Sequence, residues 1–194
     1  MLKIGITGGI GSGKTTVCKF FELLGIPVYY ADDASKELLR SNAAVKTHVL
    51  NVFGNSILDQ HGAVDRKTLA AIVFNNKTEL YKLNAIMHPA VALHFEDWIK
   101  KKAAPYILKE AAILFESGAY QKVDSVITVA APLELKISRT IKRDGVPKED
   151  ILARIENQMS DDEKIKRSEF VIYNDEQQLL MPQVLRIHSQ LVNK

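Results

Sequence analysis

The stretch "GITGGIGSGKTT", Gly5 to Thr16, restricts the possible folds of this chain more than any other. Glycines stand at positions 5, 8, 9, 11 and 13, so the run is either a flexible linker or a rigid cradle. Its flanks decide. "KIGIT" before it is short and apolar, like a strand of a buried parallel sheet. "KTTVCKFFELLG" after it puts Val17, Phe20, Phe21 and Leu24 at helical spacing, with Gly25 where a helix stops. Gly8 to Thr15 matches G-x-x-x-x-G-K-[ST]. Glycine opens backbone angles closed to other residues and lets N–H groups converge on phosphate oxygens. The helix that follows points its positive end at the same place. The loop at Gly9, Gly11, Ser12 and Gly13 is therefore read as a cradle for the phosphates of a nucleoside triphosphate. Lys14 reaches the β- and γ-phosphates, Thr15 ligates Mg²⁺, and Thr16 bonds a phosphate nearer the nucleoside. The dinucleotide pattern G-x-G-x-x-G fails on spacing, because Thr16 stands where its last glycine belongs.

"IPVYYAD" reads as a second strand, which completes a βαβ unit and implies a parallel sheet covered by helices. From Asp33 to about Lys102 the pattern is helical: "ASKELLR", "AAVKTHVLNVF" up to Gly54, and "RKTLAAIVF" with Asp65 as N-cap. "TELYKLNAIMH" and "PAVALHFEDWIKKK" read as two more helices, the second opened by Pro89, with Leu93, Phe95 and Trp98 as core. That is too long for a simple crossover and reads as an inserted helical subdomain. Strands resume in "PYILKEAAILF" and "VDSVITVAA". "PLELKISRTIKRDG" is a helix ended by Gly145, and "PKEDILARIENQM" and "DDEKIKRS" are further helical pieces. "EFVIYN" is a last strand and Glu176 to Val192 a last helix. The expectation is an α/β fold with an open five-stranded parallel sheet flanked by helices. It forms one domain over 1–194, with a helical subdomain at 33–103 and a helical lid at 132–167.

Composition narrows the partners. The net charge is +3 without the dense basic run of a nucleic-acid binder, so no nucleic acid is expected. The single cysteine, Cys18, forms no internal disulfide and fits a reducing compartment, so the cytoplasm is expected. No apolar run approaches the roughly 20 residues of a membrane span, and the first residues run into a strand rather than a signal peptide. A monomer or weak oligomer completes the expectation.

Among phosphate-loop proteins, a GTPase needs a guanine-reading segment. "NKTE" at Asn76 to Glu79 ends in Glu and lies between helices. A motor ATPase needs a longer chain. A small phosphotransferase fits, and it needs a group to receive the acceptor's proton. Ligands of open α/β sheets bind beyond the carboxyl ends of the strands. Asp32 stands at such an end, one strand along from the loop. It serves either as that base or as a helix cap, a role that Asp33 also fits. Arg139 and Arg143 lie four apart, on one helix face. They are either lid cations that neutralise the transferring phosphoryl group or a solvated basic face. His88-Pro89 suits a site or a packing role equally.

With these residues in view, the chain resembles the dephospho-CoA kinase family over nearly its whole length. "ITGGIGSGKTT" is similar to the family's opening, "GIPVYYAD" to its Gly-Ile-x-Val-x-Asp-Ala-Asp segment and "VDRKTLAAIVFNN" to its Asp-Arg-x-x-Leu-x-x-x-x-Phe stretch. "LNAIMHPAV" resembles its Leu-Asn-x-x-x-His-Pro signature, "AAILFESG" its apolar strand ending in Glu, and "RTIKRDGV" its lid helix. "ARIENQMSDDEKIKRSEFVIYN" resembles the segment with a Gln, a Lys and a final strand ending in Asn. The resemblance implies a P-loop kinase that uses Mg²⁺ and ATP to phosphorylate the ribose 3′-hydroxyl of dephospho-CoA, the last step of CoA biosynthesis. By position it makes Asp32 the base, Lys14 and Thr15 the phosphate and metal residues, and Arg139 and Arg143 lid arginines. Asn174 falls near the nucleotide base, and Arg66, His88 and Glu116 fall on the acceptor side. Three positions depart from the family pattern. Tyr30 replaces the first Asp, Lys36 an Arg, and Ala112 a Pro. Lys36 keeps the charge of a contact to the acceptor but loses bidentate geometry. Two rivals stay open: a kinase of another small acceptor, and an ATP-binding regulator without catalysis.

Overall fold

The computed structural model describes residues 1–74 and 76–194. Asn75, in the quoted "VDRKTLAAIVFNN", lies outside the described residues. The chain divides into two compact units, Met1–Tyr30 with Lys102–Lys194, and Ala31–Lys101.

The first unit is built on five strands: β1 (Leu2–Thr7), β2 (Val28–Tyr30), β3 (Tyr106–Glu110), β4 (Ser125–Ala130) and β5 (Phe170–Tyr173). All pairings are parallel, in the order β2-β3-β1-β4-β5. Every residue of β3 and β4 is buried, as expected of strands covered on both faces. Helices are numbered along the chain, and this unit holds α1 (Lys14–Leu23), α6 (Leu133–Asp144), α7 (Lys148–Glu156), α8 (Asp161–Lys166) and α9 (Leu180–Val192). Ile4 and Ile6 of β1 meet Val17 and Phe21 of α1, and Val184 and Ile187 of α9, in one core.

The second unit is helical: α2 (Ala31–Ser41), α3 (Ala43–Phe53), α4 (Arg66–Phe74) and α5 (Lys77–Ile99). Leu38, Leu39, Val45, Val49, Leu69, Val73 and Met87 form its core. Asp65 holds the start of α4, accepting from Lys67 N–H at 3.0 Å and from the Thr68 hydroxyl at 2.6 Å. No helix among the described residues is long and apolar enough to cross a membrane.

Several expectations are corrected. β3 lies between β2 and β1, so the strand leading to Asp32 is two places from the loop's strand, not one. A strand buried along its whole length needs a neighbour on each side, and "YILKE" supplies one. β2 ends at Tyr30 and α2 begins at Ala31, so Asp32 and Asp33 occupy the first turn of a helix. Carboxylates there complement the helix dipole. Asp33 pairs with Lys36 at 2.6 Å. Pro89 lies inside the continuous helix α5 instead of opening a new one. Leu83, Ile86, Met87, Ala90 and Val91 carry one apolar stripe past it into a single core, which offsets the cost of about 3 kcal/mol for an interior proline. Phe95 is buried and stacks on Trp98 at 6.3 Å, whereas Leu93 is 67% exposed. The last helix starts at Leu180, not Glu176. The Asp175 carboxylate accepts from the N–H groups of Gln177 and Gln178, and Glu176 takes a left-handed φ of 63° that no helix continues.

Candidate active site

The phosphate loop follows β1, the central strand, and runs into α1. Gly13 caps α1 in a left-handed conformation (φ 92°), no side chain bonds the first N–H groups, and no acidic residue sits in the first turn. That leaves an open, positive helix end. The glycines are sterically required. A Cβ on Gly8 would meet the Val129 carbonyl, one on Gly11 the Lys136 carbonyl, and one on Gly13 the Asn174 amide. Lys14 Nζ lies over the loop, donating to Gly8 O at 2.9 Å and Gly9 O at 3.2 Å. Thr15 and Thr16 are exposed at its mouth. Ser12 differs from the rest: it is fully buried, and its Oγ has no hydrogen-bond partner among the described residues. Its N–H returns to Gly9 O at 3.2 Å, so it shapes the loop from inside.

A polar relay braces the loop from the β5 side. Asn174, just past β5, donates from Nδ2 to Ser12 O at 2.8 Å. Arg139 of α6 donates to Asn174 O at 3.1 Å and to Glu176 Oε1 at 2.9 Å. Arg143 is not brought together with it. It forks onto Asp144 at 2.7 and 2.8 Å and is 62% exposed. This fork raises the Arg143 pKa further and holds the Asp144 carboxyl below its usual range.

Glu116 accepts from Met159 N–H at 2.8 Å and from the fully buried Lys164 at 3.1 Å, and Lys164 also donates to Ala112 O. The Ile10 N–H of the loop is taken by Gln158 Oε1 at 3.0 Å, and Lys136 pairs with Asp161 at 2.8 Å. Sequence reading missed Lys136, Gln158 and Asp161 as loop residues. The signal for Lys136 was its place on the inward stripe of α6 with Ile137 and Thr140, a costly position for a charge without a partner.

Tyr30 is packed against the apolar core and hydrogen-bonds the Glu22 carboxylate. Burial, then neighbouring Cys18 and carboxylates, pushes its phenol up. Burial first and Glu110 second push the Cys18 thiol well above its ordinary value, which makes it a packing group.

In the helical unit, Asp32 is exposed, and no side chain among the described residues claims its carboxylate. A cleft of about 350 Å³ is lined by Lys36, Arg40 and Arg66 with Asp33 and Glu37. Lys36 and Arg40 are matched by Asp33 and Glu37 at 2.6 Å each, whereas Arg66 has no carboxylate partner among the described residues. His88 is exposed in the middle of α5 and does not line this cleft.

The family model for dephospho-CoA kinase matches residues 2–179. The chain belongs to the dephospho-CoA kinase family. A dephospho-CoA kinase of Bacteroides fragilis is 40% identical over 194 residues, covering 100% of this chain and 94% of that one. A Thermus thermophilus protein, TT1252, superposes with a TM-score of 0.85 at 31% identity over 99% of this chain and 96% of its own. A Campylobacter jejuni dephospho-CoA kinase gives 0.69 at 27% identity over 98% and 97%. Membership in the dephospho-CoA kinase family makes the chain a phosphotransferase with an alcohol acceptor, on the fold of the P-loop kinases.

Proposed function

We propose that the chain transfers the γ-phosphoryl group of Mg-ATP to the 3′-hydroxyl of the ribose of dephospho-CoA, giving CoA and ADP. One observation carries the donor half: an uncapped helix start walled by glycines that tolerate no Cβ, with a lysine laid across it. Backbone groups at Gly9, Gly11 and Gly13 receive the phosphates, Lys14 moves from the loop carbonyls onto the β- and γ-oxygens, and Thr16 bonds farther along the chain of phosphates. Ser12 keeps the loop in shape. Asn174 and Arg139 hold the loop from behind on the side of the nucleoside. Arg143 neutralises charge on the transferring group after leaving Asp144.

The residues fit a magnesium ion that arrives on the phosphates. Such an ion needs only one or two protein ligands, the exposed Thr15 hydroxyl offers one, and no cluster of three acidic or histidine ligands exists among the described residues. When bound, the ion neutralises phosphate charge. On the acceptor side, Asp32 takes the hydroxyl proton as that oxygen bonds the γ-phosphorus and the bond to the β-phosphate oxygen breaks. Arg66 and Lys36 hold the pyrophosphate of dephospho-CoA in the cleft of the helical unit, with His88 farther along the acceptor. Glu116 supports the Met159–Lys164 segment. The burial of the lone Cys18 fits a cytoplasmic enzyme.

The test is a panel of acceptors, including dephospho-CoA, nucleoside monophosphates and sugar acids, each with ATP in magnesium and in excess EDTA. Phosphorylation of dephospho-CoA alone, lost in EDTA and producing CoA by mass and chromatography, is the expected result. Transfer to another acceptor, or to none, refutes the reading.

A further inference from the structure

Two ammonium groups flank the first turn of the phosphate loop. Lys14 Nζ donates to Gly8 O and Gly9 O. Lys136, on α6, approaches Gly9 as well: a Cβ built there would fall 3.2 Å from its Nζ and 3.1 Å from Asp161 Oδ1. The Lys136 side chain is 8% exposed and donates to Asp161 Oδ2 at 2.8 Å, and Asp161 is the first residue of α8. Just before α8, Gln158 holds the Ile10 N–H. Gly9, Lys136, Gln158 and Asp161 all belong to the sheet unit and border one cleft of about 410 Å³.

A pair this desolvated is a poor stabiliser. Taking both charges out of water is costly, and packed apolar residues of similar size often do as well. Packing alone gives no reason for a lysine here, but a pair set against Gly9, beside the Gln158 bond to Ile10, holds the loop where the phosphates arrive. The outer phosphates of a nucleoside triphosphate bring negative charge to the loop. Lys136 has three N–H bonds, and Asp161 is its one side-chain acceptor among the described residues.

We propose that Lys136 is a positioning residue for the triphosphate. With Asp161 and Gln158 it fixes Gly9 and Ile10 in the shape that receives the outer phosphates. Asp161 holds the cation in place between substrates. The proposal rests on the reading of Gly8–Thr15 as the ATP site, and its effect is confined to the donor.

The test is steady-state kinetics of the full chain, with Mg-ATP and dephospho-CoA varied in turn, for wild type, Lys136→Met and Lys136→Arg, alongside melting curves. Lys136→Met is expected to raise the KM for ATP by about tenfold or more while the KM for dephospho-CoA stays within about twofold. Lys136→Arg, which keeps the charge, is expected to stay within about threefold of wild type for ATP. An unchanged ATP KM in Lys136→Met overturns the proposal. So does a rise shared equally by both substrates, or a failure of arginine to restore ATP binding. If Lys136→Met does not fold, Asp161→Asn takes its place. A raised ATP KM with an unchanged dephospho-CoA KM supports the proposal, and an unchanged ATP KM overturns it. A wild type that turns over no dephospho-CoA but binds ATP refutes only the acceptor, and the same variants are then compared by ATP binding. A wild type that binds no ATP refutes the loop reading and this proposal together.

Discussion

The cations that brace the phosphate loop and the charges of the helical unit are handled in opposite ways. Around the phosphate loop they are withdrawn from water and tied down. Lys136 is 8% exposed on Asp161 and Lys164 is 0% exposed on Glu116, while the half-buried Arg139 is tied to Asn174 and to the exposed Glu176. In the helical unit they form exposed pairs one helical turn apart: Asp33 with Lys36, Glu37 with Arg40, Asp97 with Lys100. Exposed pairs contribute about 0–1 kcal/mol and re-pair at little cost, whereas breaking a buried pair costs about 3–5 kcal/mol. The braces of the proposed donor site are therefore preformed, whereas Arg143 and the charges of the proposed acceptor site are ready to exchange partners for substrate.

Four substitutions probe this contrast, from the largest effect to the smallest. Lys14→Ala leaves the charge on the β- and γ-phosphates unmatched, and kcat is expected to fall by about a thousandfold. Turnover near wild type would remove Lys14 from the site. Asp32→Asn is expected to lower kcat by about a hundredfold with ATP affinity intact. A loss below about tenfold, on the order of 1.4 kcal/mol, would reduce Asp32 to an orienting role. Glu116→Ala strips the buried Lys164 of its carboxylate and is expected to destabilise the fold by about 3 kcal/mol in denaturant titrations. A normal midpoint with a raised KM for dephospho-CoA would make Glu116 an acceptor ligand instead. Lys36→Ala removes one exposed pair and one of the two cations proposed for the pyrophosphate, and is expected to raise the KM for dephospho-CoA by about threefold. An unchanged KM would take Lys36 off the acceptor.

The loop, α1 and the places of the five strands were legible because their signals are local: spacing of glycines, apolar runs and helix stops, although the third strand ends at Glu110 and the apolar run after it turns instead of extending it. Strand order was not, since nothing in "YILKE" says that it enters between β2 and β1. The junction at Ala31 was misread because no glycine or proline breaks the run after "VYY", whereas alanine and aspartate are poor strand residues that suit a helical first turn. Pro89 was read as a boundary because its cost is local, while the apolar stripe that offsets it becomes visible only in the packed core. Within the candidate site, the glycine cradle was legible from its fixed motif. Lys136, Gln158 and Asp161 were not, because their meaning depends on contacts with residues about 125 or more positions away in sequence, at Gly9 and Ile10. Arg139 and Arg143 share a helix and a spacing, yet one braces Asn174 and the other pairs with its neighbour, a difference set wholly by what surrounds each.

The division into a donor unit and an acceptor unit is tested most directly by titrating ATP and dephospho-CoA separately into wild type, Lys14→Ala and Arg66→Ala, with heat as the readout. A crossed pattern is expected. Lys14→Ala weakens ATP by about tenfold or more and leaves dephospho-CoA unchanged, and Arg66→Ala does the reverse. Parallel losses of both ligands in both variants would contradict the account.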